Sequence, residues 1–263
     1  MNETLEEIAK TLFKSWFIDF DPVRTKVEGT PSGLPKEISD LFPNSFEDSE
    51  LGQIPKGWKV SKLESIIDVL GGHAFKSKDY IDNGVFVLRT KNFNEGVAEH
   101  LQDDVFLPKS FLESHQDFIC EDYDYHLVMV GASIGKTGMI FPSMMPALRN
   151  QNMWCFRPKE EKYSKVFTKL IVDKVSKKLL GFASGSARDF FRKGDFRSYK
   201  LVIPTETILD SFRSITDPIL KKKSKNYEEI KLMTNLRDIL LPKLISGELK
   251  IPDAENLIQE AGI

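Results

Sequence analysis

The sequence predicts an α+β fold, in which a mixed, largely antiparallel sheet domain is flanked by helical segments. Three observations carry this expectation. The two ends, NETLEEIAKTLFKSWF from Asn2 to Phe17 and TNLRDILLPKLISGEL from Thr234 to Leu249, repeat apolar residues at helical spacing. Thr4-Leu5-Glu6-Glu7-Ile8 in the first echoes Asn235-Leu236-Arg237-Asp238-Ile239 in the second. Between them, short runs of β-branched and aromatic residues alternate with turn signals.

At the start of the chain, Leu5, Ile8, Leu12 and Trp16, with Ala9 and Phe13 beside them, form one apolar stripe. A short helix is marginal alone, so that stripe must be buried against another element. From Asp21 onward the text changes. Pro22, Pro31, Pro35, Pro43 and Pro55 punctuate an acidic stretch with Gly29, Gly33 and Gly52, which is the composition of a linker.

Ile54-Pro55-Lys56-Gly57-Trp58 opens the central domain. Its strand candidates are Val85–Leu88 after the Asn83-Gly84 turn, Leu127–Val130, Met139–Phe141, Met153–Phe156 and Leu201–Ile203. The stretch from Tyr163 to Leu180 reads as one helix or two. After Pro204 the pattern is helical again. Thr216-Asp217-Pro218 either starts a new helix or kinks a continuous one. Tyr227, Ile230, Met233, Leu236, Leu240 and Leu244 then follow at spacings of three and four, and Pro242 and Gly247 mark the end. The expected division is therefore a helix at 1–20, a linker at 21–55, the central domain at 56–204, a long helical region at 205–249 and a tail at 250–263.

Composition narrows the function. With 263 residues, 41% apolar and 29% charged, the chain is an ordinary globular protein, and no apolar run approaches the ~18 residues of a membrane span. Cys120 and Cys155 have no CxxC spacing, which argues against a disulfide framework or a thiolate zinc site and suits a reducing cytoplasm. The net charge of −2 conceals an asymmetry. Residues 18–55 hold 3 Lys/Arg and 8 Asp/Glu, giving −5, whereas residues 56–204 hold 23 and 18, giving +5. A local basic excess attracts a phosphate backbone, and a solvated lysine-rich face has the same composition.

The search for catalysis is negative. Gly131-Ala132-Ser133-Ile134-Gly135-Lys136-Thr137-Gly138 has only three residues between its first two glycines, where a phosphate-binding P-loop needs four, and an apparent strand follows it. A tight turn between strands fits better, from which Ser133 and Lys136 could grip a nucleic-acid backbone. Asp19-Phe20-Asp21-Pro22-Val23 lacks the second proline and aromatic of an amino-methyltransferase signature. Asp103-Asp104 and Glu121-Asp122 read as solvated loop charges. His73, His100, His115 and His126 show no metal-ligand spacing.

Polar clusters carry more. Arg89-Thr90-Lys91-Asn92 follows a strand, Arg149-Asn150-Gln151-Asn152 precedes one, and Ser184-Gly185-Ser186-Ala187-Arg188 leads to Arg192-Lys193. Arg, Asn and Gln read base edges, while Ser and Lys hold phosphates. The plain alternative is that Asn and Ser make turns and Arg pairs with nearby acids. The candidate DNA-binding set is Lys76, Lys78, Arg89, Lys91, Asn92, Ser133, Lys136, Arg149, Asn150, Gln151, Ser184, Ser186, Arg188, Arg192 and Lys193, with no catalytic or metal-binding residue.

In this order the motifs resemble the specificity subunits of type I restriction-modification systems. Ile54–Trp58 with Leu63 looks like the start of a target-recognition domain, and Gly71-Gly72, Arg89–Asn92, Gly131–Gly138, Asn150-Gln151 and Ser184–Ser186 fall in sequence after it. Leu5–Ile8 through Phe13–Val23 looks like the end of the family's central conserved region, and Leu236–Leu241 with Leu244–Leu249 like its distal one. Such subunits carry two recognition domains and this chain has one, so it looks like a C-terminal half.

The resemblance implies a non-catalytic subunit that reads double-stranded DNA for methylating subunits and, through them, a restriction subunit. Adenine methylation and cleavage, with S-adenosylmethionine, ATP and Mg, would belong to those partners. It also implies that the long helices pair as an antiparallel coiled coil, giving a homodimer with a split, palindromic target. Leu5, Ile8, Leu12, Trp16, Phe17, Tyr227, Ile230, Met233, Leu236, Leu240 and Leu244 are the expected dimer or partner contacts. The alternative is a decoy that binds the methylating subunits without reading DNA. Binding of ATP by Gly131–Thr137 would instead indicate an enzyme.

Overall fold

A computed structural model describes residues 1–183 and 191–250. They divide into two units, one running from Glu3 to Leu220 and one beginning at Lys221. Among the described residues no helix is long and apolar enough to cross a membrane.

Helix α1 (Asn2–Lys14) runs into a π-helical turn, Ser15–Asp19. That wider turn brings Trp16 and Phe17 inward together, and both are buried. Phe20, at φ 57°, ends the run. The stretch expected as a linker is instead built of short elements: α2 (Asp21–Glu28), α3 (Lys36–Ser39) and a hairpin of β1 (Phe46–Ser49) with β2 (Gly52–Pro55). Its punctuation has a structural use. Pro22 lies in the first turn of α2, where a missing N–H costs nothing, and Gly29 caps its end at φ 70°. Phe42 from this stretch packs edge-on to Trp16 with ring centres 5.0 Å apart.

Strand β3 (Lys59–Lys62) is followed by β4 (Ile67–Gly71), β5 (Val85–Leu88), β6 (Phe93–Asn94), β7 (Gly96–Ala98) and β8 (Phe106–Leu107). Then come α4 (Ser110–Ser114), β9 (Tyr125–Val128), β10 (Thr137–Met139), β11 (Ala147–Arg149) and β12 (Met153–Pro158). A six-stranded sheet has the order β4-β12-β9-β10-β7-β6, and a three-stranded sheet the order β11-β5-β8. Two pairings, β10 with β7 and β11 with β5, are parallel, and the other described ladders are antiparallel. Helix α5 (Lys165–Ala183) is a single element. After α6 (Lys193–Arg197), β13 (Lys200–Ile203) returns to pair with β3 and bring the two ends of the central segment together.

Helix α7 (Glu206–Ile245) continues through both Pro218 and Pro242, so neither proline starts a new helix. It ends at Gly247, at φ 76°, with Leu249 N–H donating to the Lys243 carbonyl at 3.0 Å. Its first turns bury Ile208, Leu209 and Phe212, so the first unit extends well past the expected boundary at 204. Phe17 lies at the centre of this junction, 5.0 Å from Phe212, 5.3 Å from Phe167 and 6.1 Å from Trp58, ring centre to ring centre. Each such pair adds about 0.5–1.5 kcal/mol to the area it buries. Trp16 and Phe17 therefore belong to the interior and are not the partner contacts expected of them.

One charged network ties the sheet to α5. Asp124 accepts hydrogen bonds from Arg157 Nη2 at 2.6 Å, Lys165 Nζ at 2.9 Å and the Glu121 N–H at 2.8 Å. Burial opposes its charge, but the Arg157 hydrogen bond and the nearby positive charges win and hold its carboxyl well below the usual range.

Candidate nucleic-acid interface

Four neighbouring strands of the large sheet release their loops at one end. The register sets Trp154 opposite Gly71, Met153 opposite Val128 and Leu127 opposite Thr137. The chain leaving β4 and β9 and the chain entering β10 and β12 therefore meet there. Backbone hydrogen bonds join them. His73 N–H donates to the Arg149 carbonyl at 3.2 Å, Met129 N–H to Asn152 at 3.1 Å and Phe191 N–H to Met129 at 2.9 Å. From the smaller sheet, the Leu88 carbonyl accepts from Asn150 N–H at 2.9 Å, which brings the Arg89 segment to the same place.

Gly72 is required by this convergence. A Cβ there would lie 1.8 Å from the Asn150 carbonyl oxygen, so a side chain would push the two loops apart. The glycine-rich motif is a hairpin loop between β9 and β10, as the tight-turn reading expects. Val128 N–H donates to Lys136 O at 2.8 Å and Gly135 N–H to Val128 O at 2.9 Å, with Gly131 and Gly135 at φ 86° and 82°.

The candidate residues divide sharply. Lys76, Lys78, Ser133, Lys136, Gln151 and Arg192 are exposed, and Asn150 and Lys193 are half-buried. Burial and then the charge of Arg197 lower the Lys193 ammonium pKa. Ser184, Ser186 and Arg188 lie outside the described residues. Arg149 and Asn92 are corrected. The Arg149 side chain is buried, with Nε donating to Gly71 O at 2.7 Å, Nη1 to Ile119 O at 2.9 Å and Nη2 to Asp117 O. Its fork holds loops together and has no face left for a base. Asn92 is also buried, accepting from Arg89 N–H at 3.0 Å and donating to Glu99 O at 3.0 Å and Asp104 Oδ1 at 2.7 Å.

Asp103 and Asp104 are not idle solvated charges. Asp104 accepts from Leu101 N–H at 3.0 Å and lies 2.9 Å from His100 Nδ1. The Asp103 carbonyl accepts from Arg89, and its carboxylate pairs with Lys91. Arg89 is therefore largely engaged, whereas the Lys91 pair is a surface contact of the weak kind. Sequence reasoning also missed the rings beside Asn150. His73 bridges to Asn150 and lies 4.8 Å from His115 and 4.9 Å from Phe118, ring centre to ring centre. The Gly71-Gly72 doublet before His73 is the one sequence signal of that close approach.

Residues 55–231 match the family model for the type I restriction modification DNA specificity domain. The chain belongs to this specificity-domain family. The MjaIX specificity subunit of Methanocaldococcus jannaschii is 27% identical over 255 residues, covering 96% of this chain and 54% of the relative. The HindI specificity subunit of Haemophilus influenzae is 26% identical over 304 residues, covering 95% and 62%. The crystal structure of a type I restriction-modification S subunit from M. genitalium superposes with a TM-score of 0.55 at 14% identity over 92% of this chain and 55% of that one, which is a likeness of fold. The specificity-domain chain thus spans a little over half the length of these relatives.

Proposed function

We propose that this specificity-domain chain is the non-catalytic DNA-reading subunit of a type I restriction-modification complex, directing adenine methylation and cleavage by partner subunits. The convergence of five polar loop segments at one end of the sheets carries the reading. Lys76, Lys78, Ser133, Lys136 and Arg192 provide donors for phosphates there, and Asn150 and Gln151 provide amides for base edges. The chain itself binds no cofactor, and its work lies in the cytoplasm with the DNA. The distal part of α7 leaves Ile230, Met233 and Ile239 exposed. A second copy of the chain pairing antiparallel along that stripe would cover it and present two recognition domains in two-fold symmetry. The methylating subunits dock on the remaining helix surface and bring the restriction subunit with them.

The test is co-expression with the cognate methylating subunit, followed by mapping of methylated adenines. A split palindromic motif is the expected result. An asymmetric motif overturns the homodimer, and binding of the methylating subunit with neither methylation nor salt-sensitive duplex binding favours the decoy reading.

A further inference from the structure

We propose that the core of the recognition domain binds a zinc-type divalent cation between Asp124, His126 and Cys155. The β9–β12 register sets Cys155 opposite His126, and Asp124 is two residues before His126, on the same face of the chain. A carboxylate oxygen, an imidazole nitrogen and the thiol sulfur lie within 4.8 Å of one another, and all three residues are buried. Tetrahedral zinc, with bonds of about 2.0–2.3 Å, sets its ligand atoms roughly 3.3–3.8 Å apart, so closure by about 1 Å completes the site. The mixed nitrogen, sulfur and oxygen set favours zinc over the oxygen-seeking Mg or Ca.

A second observation points to a missing ligand. His126 Nδ1 is buried with no hydrogen-bond partner. The other nitrogen, Nε2, lies 4.0 Å from Cys120 Sγ, so a proton there faces sulfur and leaves Nδ1 as a bare lone pair. A metal ion is the natural partner for such a nitrogen, with Cys120 fixing the tautomer from behind.

The surrounding charges allow exchange. Lys165 Nζ is 2.9 Å from Asp124 and 3.9 Å from the Glu121 carboxylate, and its side chain is 23% exposed. An incoming cation can take the place of the ammonium on Asp124 while Lys165 moves to Glu121. Binding forms a Zn–S bond and breaks the Cys155 S–H bond, and the proton passes to water. Arg149 and Arg157 favour the resulting thiolate against the burial that raises its pKa. The absence of CxxC spacing did not reveal this site, because the strand register assembles it.

The experiment titrates the purified full chain with Zn and, separately, with Co as an optical probe. One tightly held equivalent and a thiolate-to-cobalt absorption band are expected, with the band lost in Cys155→Ala. Lys165→Met frees Asp124 and should tighten binding by about tenfold. This second variant keeps the test decisive if Cys155→Ala does not fold. No stoichiometric metal, an unchanged band in folded Cys155→Ala, or unchanged affinity in Lys165→Met overturns the proposal. None of these readouts depends on DNA binding.

Discussion

Apolar stripes at helical spacing occur in α1 and again in the distal part of α7, yet the two have different surroundings. Phe13, Trp16 and Phe17 are buried among Phe42, Trp58, Phe167 and Phe212, so the first stripe is core. Ile230, Met233 and Ile239 are each more than half exposed, while Tyr227, Leu236, Leu240 and Leu244 are half-buried. Leu5 and Leu12 are intermediate, and Ile8 faces out. Periodicity thus establishes that a helix has an apolar face, whereas burial distinguishes a face already covered from one that a second chain could cover.

The largest effect should come from Trp16→Ala, which removes a side chain only 1% exposed and should cost about 3–5 kcal/mol in urea unfolding of the first unit. A loss below 1 kcal/mol would mean that α1 is not core. Arg149→Ala comes next. It leaves three carbonyls without their donors and should destabilise by about 1–3 kcal/mol or more. If Arg149 were a base reader instead, DNA binding would fall with stability unchanged.

Met233→Glu with Ile239→Glu should leave the first unit's unfolding within about 0.5 kcal/mol of the parent while abolishing self-association in sedimentation. Unfolding as severe as that of Trp16→Ala would erase the contrast between the stripes. The smallest effect is expected for Lys136→Ala: unaltered stability, uniformly weaker duplex binding and a salt slope reduced by about one. An unchanged slope would remove the β9–β10 loop from the DNA interface.

Much of the fold was legible in local pattern. The strands at Val85–Leu88 and Met153–Phe156 and the hairpin character of Gly131–Gly138 followed from alternation and turn residues. The acidic Pro/Gly stretch was misread because a proline that opens a helix and a proline in a linker look alike. The candidate site was legible as residue types. Exposed Lys136 and Gln151 kept the expected character, while Arg149 and Asn92 turned inward because carbonyls and carboxylates from distant segments were there to meet them.

By itself, the sequence determined the α+β class, the helices at both ends and the polar character of the loops, because these depend on neighbours a few residues away. Only the tertiary structure decided that Gly72 must touch Asn150, that Trp16 is core and that Asp124, His126 and Cys155 share one face. Those outcomes depend on strand register and helix docking, which bring together residues far apart in the chain.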